Sequence, residues 1–371
     1  MQITKIHLHH LHIPLRLTFA QANQRTRSSA SLIVRLETSH GVAGYGESCP
    51  RTYVTGESME GATQTIRRLK AEVLFRRFDR LTDIRDWALA CLDEGYGPAA
   101  VCALELALID AWCQTYQEDL VTALGGRRPA QWQYSGVVPY GPWEKLVPIL
   151  GRFRFASLKA KAYASVEDNL VLVQHLRGLP DGGDQLRLDA NGGWHNGQAS
   201  RNIKALLAQG VHSFEQPVAV GAEDDMGALV REFGQTASIM ADESLVTLAD
   251  ARRLIEKGQC NHFNLKISKH GGLFATLRIL ELARRHGIPC QLGAHYGETS
   301  LLTAAGMVVA ALAPELTACE GALGTHLLVE DIVRKPLQVD EHGLIREPDL
   351  SFSGWPRAVD ELRLNRYAQR T

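Results

Sequence analysis

The chain has 371 residues, 45% of them hydrophobic, and its 40 Lys plus Arg stand against 41 Asp plus Glu. That length suits a barrel with additions or two domains, and a charge near zero gives no electrostatic reason for a nucleic-acid or acidic-surface partner. Seven scattered cysteines without a CxxC pair argue against a disulfide frame or a structural zinc and for free thiols in a reducing compartment.

In chain order, residues 3–15, 31–38 and 41–47 read as strands of an antiparallel meander, with Ser39-His40-Gly41 as the last turn. No basic region followed by an apolar core opens the chain, so no leader is expected, and the uncharged run 299–314 is too short to span a bilayer. His7, His9, His10 and His12 lack a neighbouring cysteine or carboxylate and read as a solvated strand rather than a metal site. Helical patterns follow at 58–75, 82–91 and 98–116. In the last, Val101, Leu104, Leu108 and Ala111 make one apolar stripe. Leu124-Gly-Gly-Arg-Arg-Pro breaks the pattern and marks a boundary.

Beyond it, short apolar strands alternate with helix-length segments, beginning near Tyr134, Ser157, Gln185, His212, Ser238, His262, Pro289 and Leu316. Eight such units close naturally into a barrel; an open dinucleotide-binding sheet would need a Gly-rich fingerprint after its first strand, and none is present. The strand ends from the second onward are Lys161, Asp189, Glu215, Asp242, Lys266, His295 and Glu320, one every 24 to 29 residues. Ionisable groups therefore recur once per unit at the C-terminal face, where such barrels carry active sites.

Asp189, Glu215 and Asp242 would repel one another at one mouth unless a cation lay between them. All-oxygen donors suit Mg²⁺, with Mn²⁺ as the alternative. Asn191 and Glu243 stand close enough in sequence to support those ligands. Lys159 and Lys161 share one strand face, and their mutual repulsion is expected to lower a lysine pKa toward that of a base. Lys266 falls across the mouth from Lys161. A carboxylate held by the metal can then lose its α-proton to one lysine and regain a proton from the other. Lys269 reads as a turn residue ahead of Gly271-Gly272.

These residues carry a resemblance to the enolase superfamily, and within it to the muconate lactonizing enzyme subgroup, over essentially the whole chain. The matching pieces are Lys-Ala-Lys at 159–161, Asp-Ala-Asn-Gly-Gly-Trp at 189–194, Glu-Gln-Pro at 215–217, Ala-Asp-Glu-Ser at 241–244 and Asn-Leu-Lys-Ile-Ser-Lys-His-Gly-Gly at 264–272. Ala103-Leu-Glu-Leu-Ala-Leu-Ile-Asp, Leu124-Gly-Gly-Arg and the closing Val359-Asp-Glu-Leu add to them. The resemblance implies an α/β fold: an α+β capping domain over 1–127, a (β/α)7β modified barrel over 128–325 and a C-terminal segment, 326–371, packing back on the cap. It implies Mg²⁺ on Asp189, Glu215 and Asp242, Lys161 and Lys266 as the acid/base pair, and Lys159 holding the substrate carboxylate or tuning Lys161. A cytoplasmic homo-oligomer acting on a small-molecule carboxylate, with no nucleic-acid or membrane partner, is expected.

The subgroup's reactions share an enediolate and differ in its fate: racemization or epimerization, cycloisomerization, or loss of a β-substituent. Dipeptide epimerases of this family usually end the eighth strand in Asp-x-Asp, which holds an α-ammonium; here the match is Glu320-Gly-Ala322. Glu320, His295 and Tyr53 are read as substrate contacts, with Arg51 and Glu298 as further candidates and segments 19–26 and 50–56 closing over the substrate. A dehydratase is the alternative within the same chemistry. A Schiff-base aldolase or a non-catalytic carboxylate-binding barrel would leave the carboxylates or the lysines idle.

Overall fold

The computed structural model describes residues 1–371 apart from 22–23, 142, 180–184, 196, 322–323, 347–349 and 370–371. The chain opens with β1 (Ile3–Leu11), a hairpin of β2 (Pro14–Gln21) and β3 (Gln24–Ser28), and then β4 (Ser31–Thr38) and β5 (Ala43–Ser48). The first expected strand, 3–15, is thus two strands. Pro14 has no amide hydrogen to extend the ladder, and the chain leaves the sheet there. β1, β4 and β5 lie side by side and antiparallel, turning through Gly41 at φ +75°. The histidines of β1 pair locally, His10 with Thr63 at 2.6 Å and His7 with Glu37 at 3.3 Å.

Three helices follow, α1 (Met59–Phe75), α2 (Leu81–Asp93) and α3 (Pro98–Tyr116), close to their expected limits. The one-sided stripe expected of α3 is not what the structure shows: the helix is buried from Ala99 through Cys113 on all faces. It lies between the antiparallel sheet and the helices of the barrel. The sheet approaches so closely that a Cβ on Gly46 would sit 2.1 Å from the Ala103 carbonyl oxygen, so the glycines of β5 are packing requirements.

After α4 (Leu120–Ala123) and β6 (Trp132–Gln133), the parallel sheet begins at β7 (Gly136–Val138). It continues through α5 (Trp143–Leu150), β8 (Leu158–Lys161), α6 (Val166–Arg177), β9 (Leu186–Asp189), α7 (Gln198–Leu207), β10 (Ser213–Glu215) and α8 (Glu223–Phe233). Then come β11 (Ser238–Ala241), α9 (Leu248–Glu256), β12 (His262–Leu265), α10 (Ile267–His270), α11 (Leu273–Arg285), β13 (Cys290–Leu292) and α12 (Ser300–Leu312). The seven strands pair in sequence order. Residues 318–320 close the ring in place of a full eighth strand. Leu292 N–H donates to Ala318 O and Glu320 N–H to Leu292 O, while Ser135 N–H on the other side donates to Cys319 O.

The remaining chain, with α13 (Gly324–Leu327), β14 (Leu344–Ile345), α14 (Glu361–Tyr367) and β15 (Ala368–Gln369), returns to the antiparallel sheet, where β15 pairs with β1. Cap and barrel are joined by buried acids placed at barrel helix N-termini. Glu47 at the end of β5 accepts from Thr299 N–H and Oγ1–H, and Glu105 of α3 accepts from the Leu273 and Phe274 amides at the start of α11. Gly272 makes the second contact possible: at φ +125°, a Cβ there would lie 2.0 Å from Glu105 Oε2. No helix among the described residues is long and apolar enough to cross a membrane.

Candidate active site

Strand register builds the floor of the site. Lys161 of β8, Asp189 of β9 and Glu215 of β10 are direct pairing partners in one row, and Lys159 pairs with Arg187 two residues behind. Alternate side chains share a face, so both tiers project toward the same interior. Asp242 and Lys266 each follow the last residue of their strand, β11 and β12.

The charges interlock. Lys161 Nζ lies 2.6 Å from Asp189 Oδ2 and 2.8 Å from Asn191 Oδ1. Lys266 Nζ lies 2.5 Å from Asp242 Oδ2. Lys159 Nζ reaches both Glu215 oxygens at 3.2 Å and Glu320 Oε2 at 2.7 Å. Asn191 also donates to Glu243 Oε1 at 3.0 Å, joining the two supporting residues expected from the sequence. Glu215 is steadied further by Asn264 at 2.8 Å and Gln291 at 3.1 Å.

Lys269, expected from its sequence context to be a turn residue, is instead fully buried. It donates to Asp242 Oδ1 and Asp242 O at 2.8 Å and to Asn264 O at 2.9 Å. Three acceptors match the three protons of an ammonium group, so it fixes Asp242 from below. The short helix α10 folds it back onto the strand end three residues after Lys266. Gln216 is a second fixture without an assigned role in the sequence reading. Held at φ +38°, it accepts from the Asp242 and Ser244 amides at 2.9 and 3.1 Å. Arg187 is a third: buried, it pairs with Glu320 at 3.2 Å and with Gln291. The alternation that placed Lys159 beside Lys161 also places Arg187 beside Asp189, and that signal was there to be used.

Electrostatics corrects one expectation. Repulsion between Lys159 and Lys161 does not govern the site. Burial pulls Lys159 down, but Glu215, Glu320 and Asp189 outweigh it and raise its pKa; Asp242, Glu215 and Glu243 likewise hold Lys266 well above its ordinary value. Burial and neighbouring Asp189 push Glu215 up to about 8. Asp242, despite burial, is drawn well below its ordinary value by Lys266 and Lys269.

A cavity of about 480 Å³ opens above this floor, lined by Lys159, Lys161, Lys266, Asn191, Glu243, His295 and Glu320. Tyr53 and Val54 reach it from the cap, as expected for the 50–56 segment; the tip of the 19–26 segment lies outside the described residues, as does Ala322. Arg51, the other candidate from that segment, does not line the cavity. Its guanidinium donates to the Ala30, Pro50 and Tyr296 carbonyls and lies 4.7 Å over the Tyr296 ring, where it holds the loop. Burial, with Lys266 and Arg51 nearby, keeps the His295 imidazole neutral, its pKa well below the usual value. The His295 amide donates to Glu298, whose carboxyl burial pushes up to about 8.

In the arrangement seen, ammonium groups stand among Asp189, Glu215 and Asp242, and among the described residues no three acids, histidines or cysteines converge on one point. The donor set nevertheless fits a hard divalent cation. Three buried carboxylates end consecutive strands, each already held by Lys161, by Asn264 and Gln291, or by Lys269, and one of them, Glu215, carries a pKa raised by burial and by the neighbouring carboxylates.

The family described as "Enolase C-terminal domain-like" matches residues 149–351. The hydrophobic dipeptide epimerase of Enterococcus faecalis is 30% identical over 325 residues, 84% of this chain and 88% of that protein. The structure of a dipeptide epimerase from Enterococcus faecalis complexed with Mg and the dipeptide L-Leu-L-Tyr superposes with a TM-score of 0.86 and 26% identity over 95% of this chain and 99% of the other. The N-succinyl Arg/Lys racemase of Bacillus cereus superposes at 0.87 with 25% identity over 100% and 99% of the two chains. The muconate lactonizing enzyme of Pseudomonas fluorescens complexed with muconolactone gives 0.87 with 26% identity over 99% of each. Racemases, epimerases and cycloisomerases alike, these relatives are isomerases, and by the family match and the shared fold this chain belongs to the enolase superfamily.

Proposed function

We propose that this protein isomerises a small carboxylic acid by removing the proton α to its carboxylate and returning a proton to the resulting enediolate, as a racemase, epimerase or cycloisomerase. The observation that carries this reading is the placement of Lys161 and Lys266: on strands β8 and beyond β12, separated by the carboxylate-bearing strands, both lining one cavity. A substrate lying between them presents opposite faces of its α-carbon to the two amines. One takes the proton and the other gives one back.

Asp189, Glu215 and Asp242 would hold the Mg²⁺. When bound, it supplies positive charge for the developing enediolate and offsets the carboxylates that now hold the lysine protons. Lys159, between Glu215 and Glu320, adds fixed positive charge at the floor. Its ammonium stays protonated and serves as an electrostatic support rather than a base. His295, neutral, can hydrogen-bond the substrate but is not poised to donate a proton to a leaving group, which weighs against the dehydratase.

The test is α-proton exchange in D₂O, followed by NMR with Mg²⁺ present, across amino acids, N-acylated amino acids, dipeptides and muconates. Exchange, or ring closure of a muconate, that vanishes with chelator and in both Lys161→Ala and Lys266→Ala is expected. A keto or enamine product would sink the isomerase in favour of the lyase, and borohydride trapping of substrate on Lys161 would replace it with a Schiff-base enzyme.

A further inference from the structure

The rim of the cavity differs in chemistry from its floor. Its walls are apolar, with Leu146, Leu150, Phe153, Phe155 and Leu327 facing the space, and Phe153 stacks on Phe155 with centroids 5.0 Å apart. Two guanidinium groups also line it, Arg16 from β2 and Arg152 from the loop after α5. Arg16 is anchored, donating through Nε to Leu328 O at 2.9 Å and through Nη2 to Val329 O at 2.8 Å. Arg152 is exposed and makes no hydrogen bond or ion pair with any described residue.

The acids tell the other half. Among the described residues the cavity's lining includes only Glu243 and Glu320. Both belong to the floor: Glu320 is bound by Lys159 at 2.7 Å and Arg187 at 3.2 Å, and Glu243 accepts from Asn191. A substrate ammonium at the rim would meet two cations and no available carboxylate, whereas an anion there would meet Arg152, uncommitted among the described residues, and the positive charge of Arg16.

Resting on the α-proton chemistry proposed above, we infer that the substrate is a dicarboxylic acid with an apolar spacer. Its reacting carboxylate goes to the lysine-lined floor and its second carboxylate to Arg152 and Arg16 at the rim. The spacer covers the wall formed by Leu146, Leu150 and Phe153.

Three leucine derivatives that differ only at the far end test this: N-succinyl-, N-butanoyl- and β-alanyl-L-leucine, which end in a carboxylate, a methyl group and an ammonium. Exchange at Cα is measured with the full-length Mg²⁺-supplemented enzyme, and binding of the same three acids by calorimetry. The expected order in both is succinyl, then butanoyl, then β-alanyl. Arg152→Gln lowers kcat/KM for the succinyl acid about three- to tenfold, through KM, and narrows its advantage over the butanoyl acid. Equal handling of the three, a preference for the ammonium, or an Arg152→Gln effect of the same size on all of them overturns the inference while leaving the chemistry standing. Succinyl-selective binding without exchange in any acid does the reverse, overturning the chemistry and keeping the rim assignment. The circular dichroism spectrum of Arg152→Gln controls for folding, and Arg152→Lys, which keeps the charge, restores part of the succinyl preference.

Discussion

The floor and the rim of one cavity are made by different means. At the floor, the groups are mostly charged or amide side chains at or near strand ends, held by named partners: Asp242 by Lys266, Lys269 and, through its amide, Gln216, and Glu215 by Lys159, Asn264 and Gln291. At the rim, the groups come from β2, α5 and the loop after it, the 50–56 loop and α13; most are apolar, Arg16 is tied to backbone carbonyls, and Arg152 makes no hydrogen bond or ion pair with any described residue. The difference separates two tasks. Proton transfer needs atoms held to fractions of an ångström, which register supplies; selection among acids needs only shape and charge, which loops can vary without moving the lysines.

The largest way to break this division is at the floor. Lys161→Ala and Lys266→Ala should each lower turnover by about 10²- to 10⁴-fold, the range for loss of a positioned acid or base. The thermal transition should change little beside that loss. If either variant turned over normally, the floor would not be the reacting surface.

Next in size is Lys269→Met, which keeps length and burial but removes the three hydrogen bonds around Asp242. Loss of a group that orients a metal ligand typically costs about 10- to 100-fold in metal affinity or activity. The Mg²⁺ concentration for half-maximal activity should therefore rise by that order, with recovery at high Mg²⁺. A variant inactive at every Mg²⁺ level would instead give Lys269 a part in the chemistry.

The same contrast explains what the sequence could tell. Lys161, Asp189, Glu215, Asp242, Lys266 and Glu320 announce themselves because the βα repeat delivers one ionisable group per unit to one face. Lys269 was hidden because it sits off that period, in a helix of one turn ahead of two glycines, where an exposed turn is the ordinary outcome. The rim was hidden for a different reason. Leu146, Leu150 and Phe153 have the pattern of core residues and Arg16 and Arg152 that of surface ones; only the tertiary placement of cap on barrel brings them to one wall. The closing segment 318–320 was legible as an eighth strand, though it pairs by a few bonds rather than a full ladder.

What holds rim over floor should be sensitive to pH. Burial raises Glu105, which bridges α3 to the start of α11, from 4.5 to about 8, and Glu47 to about 7, although amide hydrogen bonds oppose the shift. A carboxyl whose folded pKa is raised favours the fold fully below its unfolded value, about 4.5, and that contribution is lost as pH rises through about 8. The melting temperature should therefore fall between pH 5 and 9, and Glu105→Gln, which cannot ionise, should flatten that slope by a few degrees. Parallel slopes for variant and wild type would mean that the Glu105 carboxyl is already ionised in the fold.

The smallest effect tests the comparison most directly. Phe153 belongs to the cavity wall. Its ring stacks on Phe155 and meets His326 edge-on at 5.7 Å, lining the cavity wall. Phe153→Leu keeps an apolar surface and loses the ring, so the wall should hold the substrate's spacer less well by the area no longer covered. Apolar burial of that scale is equally present before and after the proton moves, and its loss raises KM a few-fold without lowering kcat. A fall in kcat of similar size would mean that the wall sets the angle at which the α-carbon meets Lys161 and Lys266, and that rim and floor act as one device.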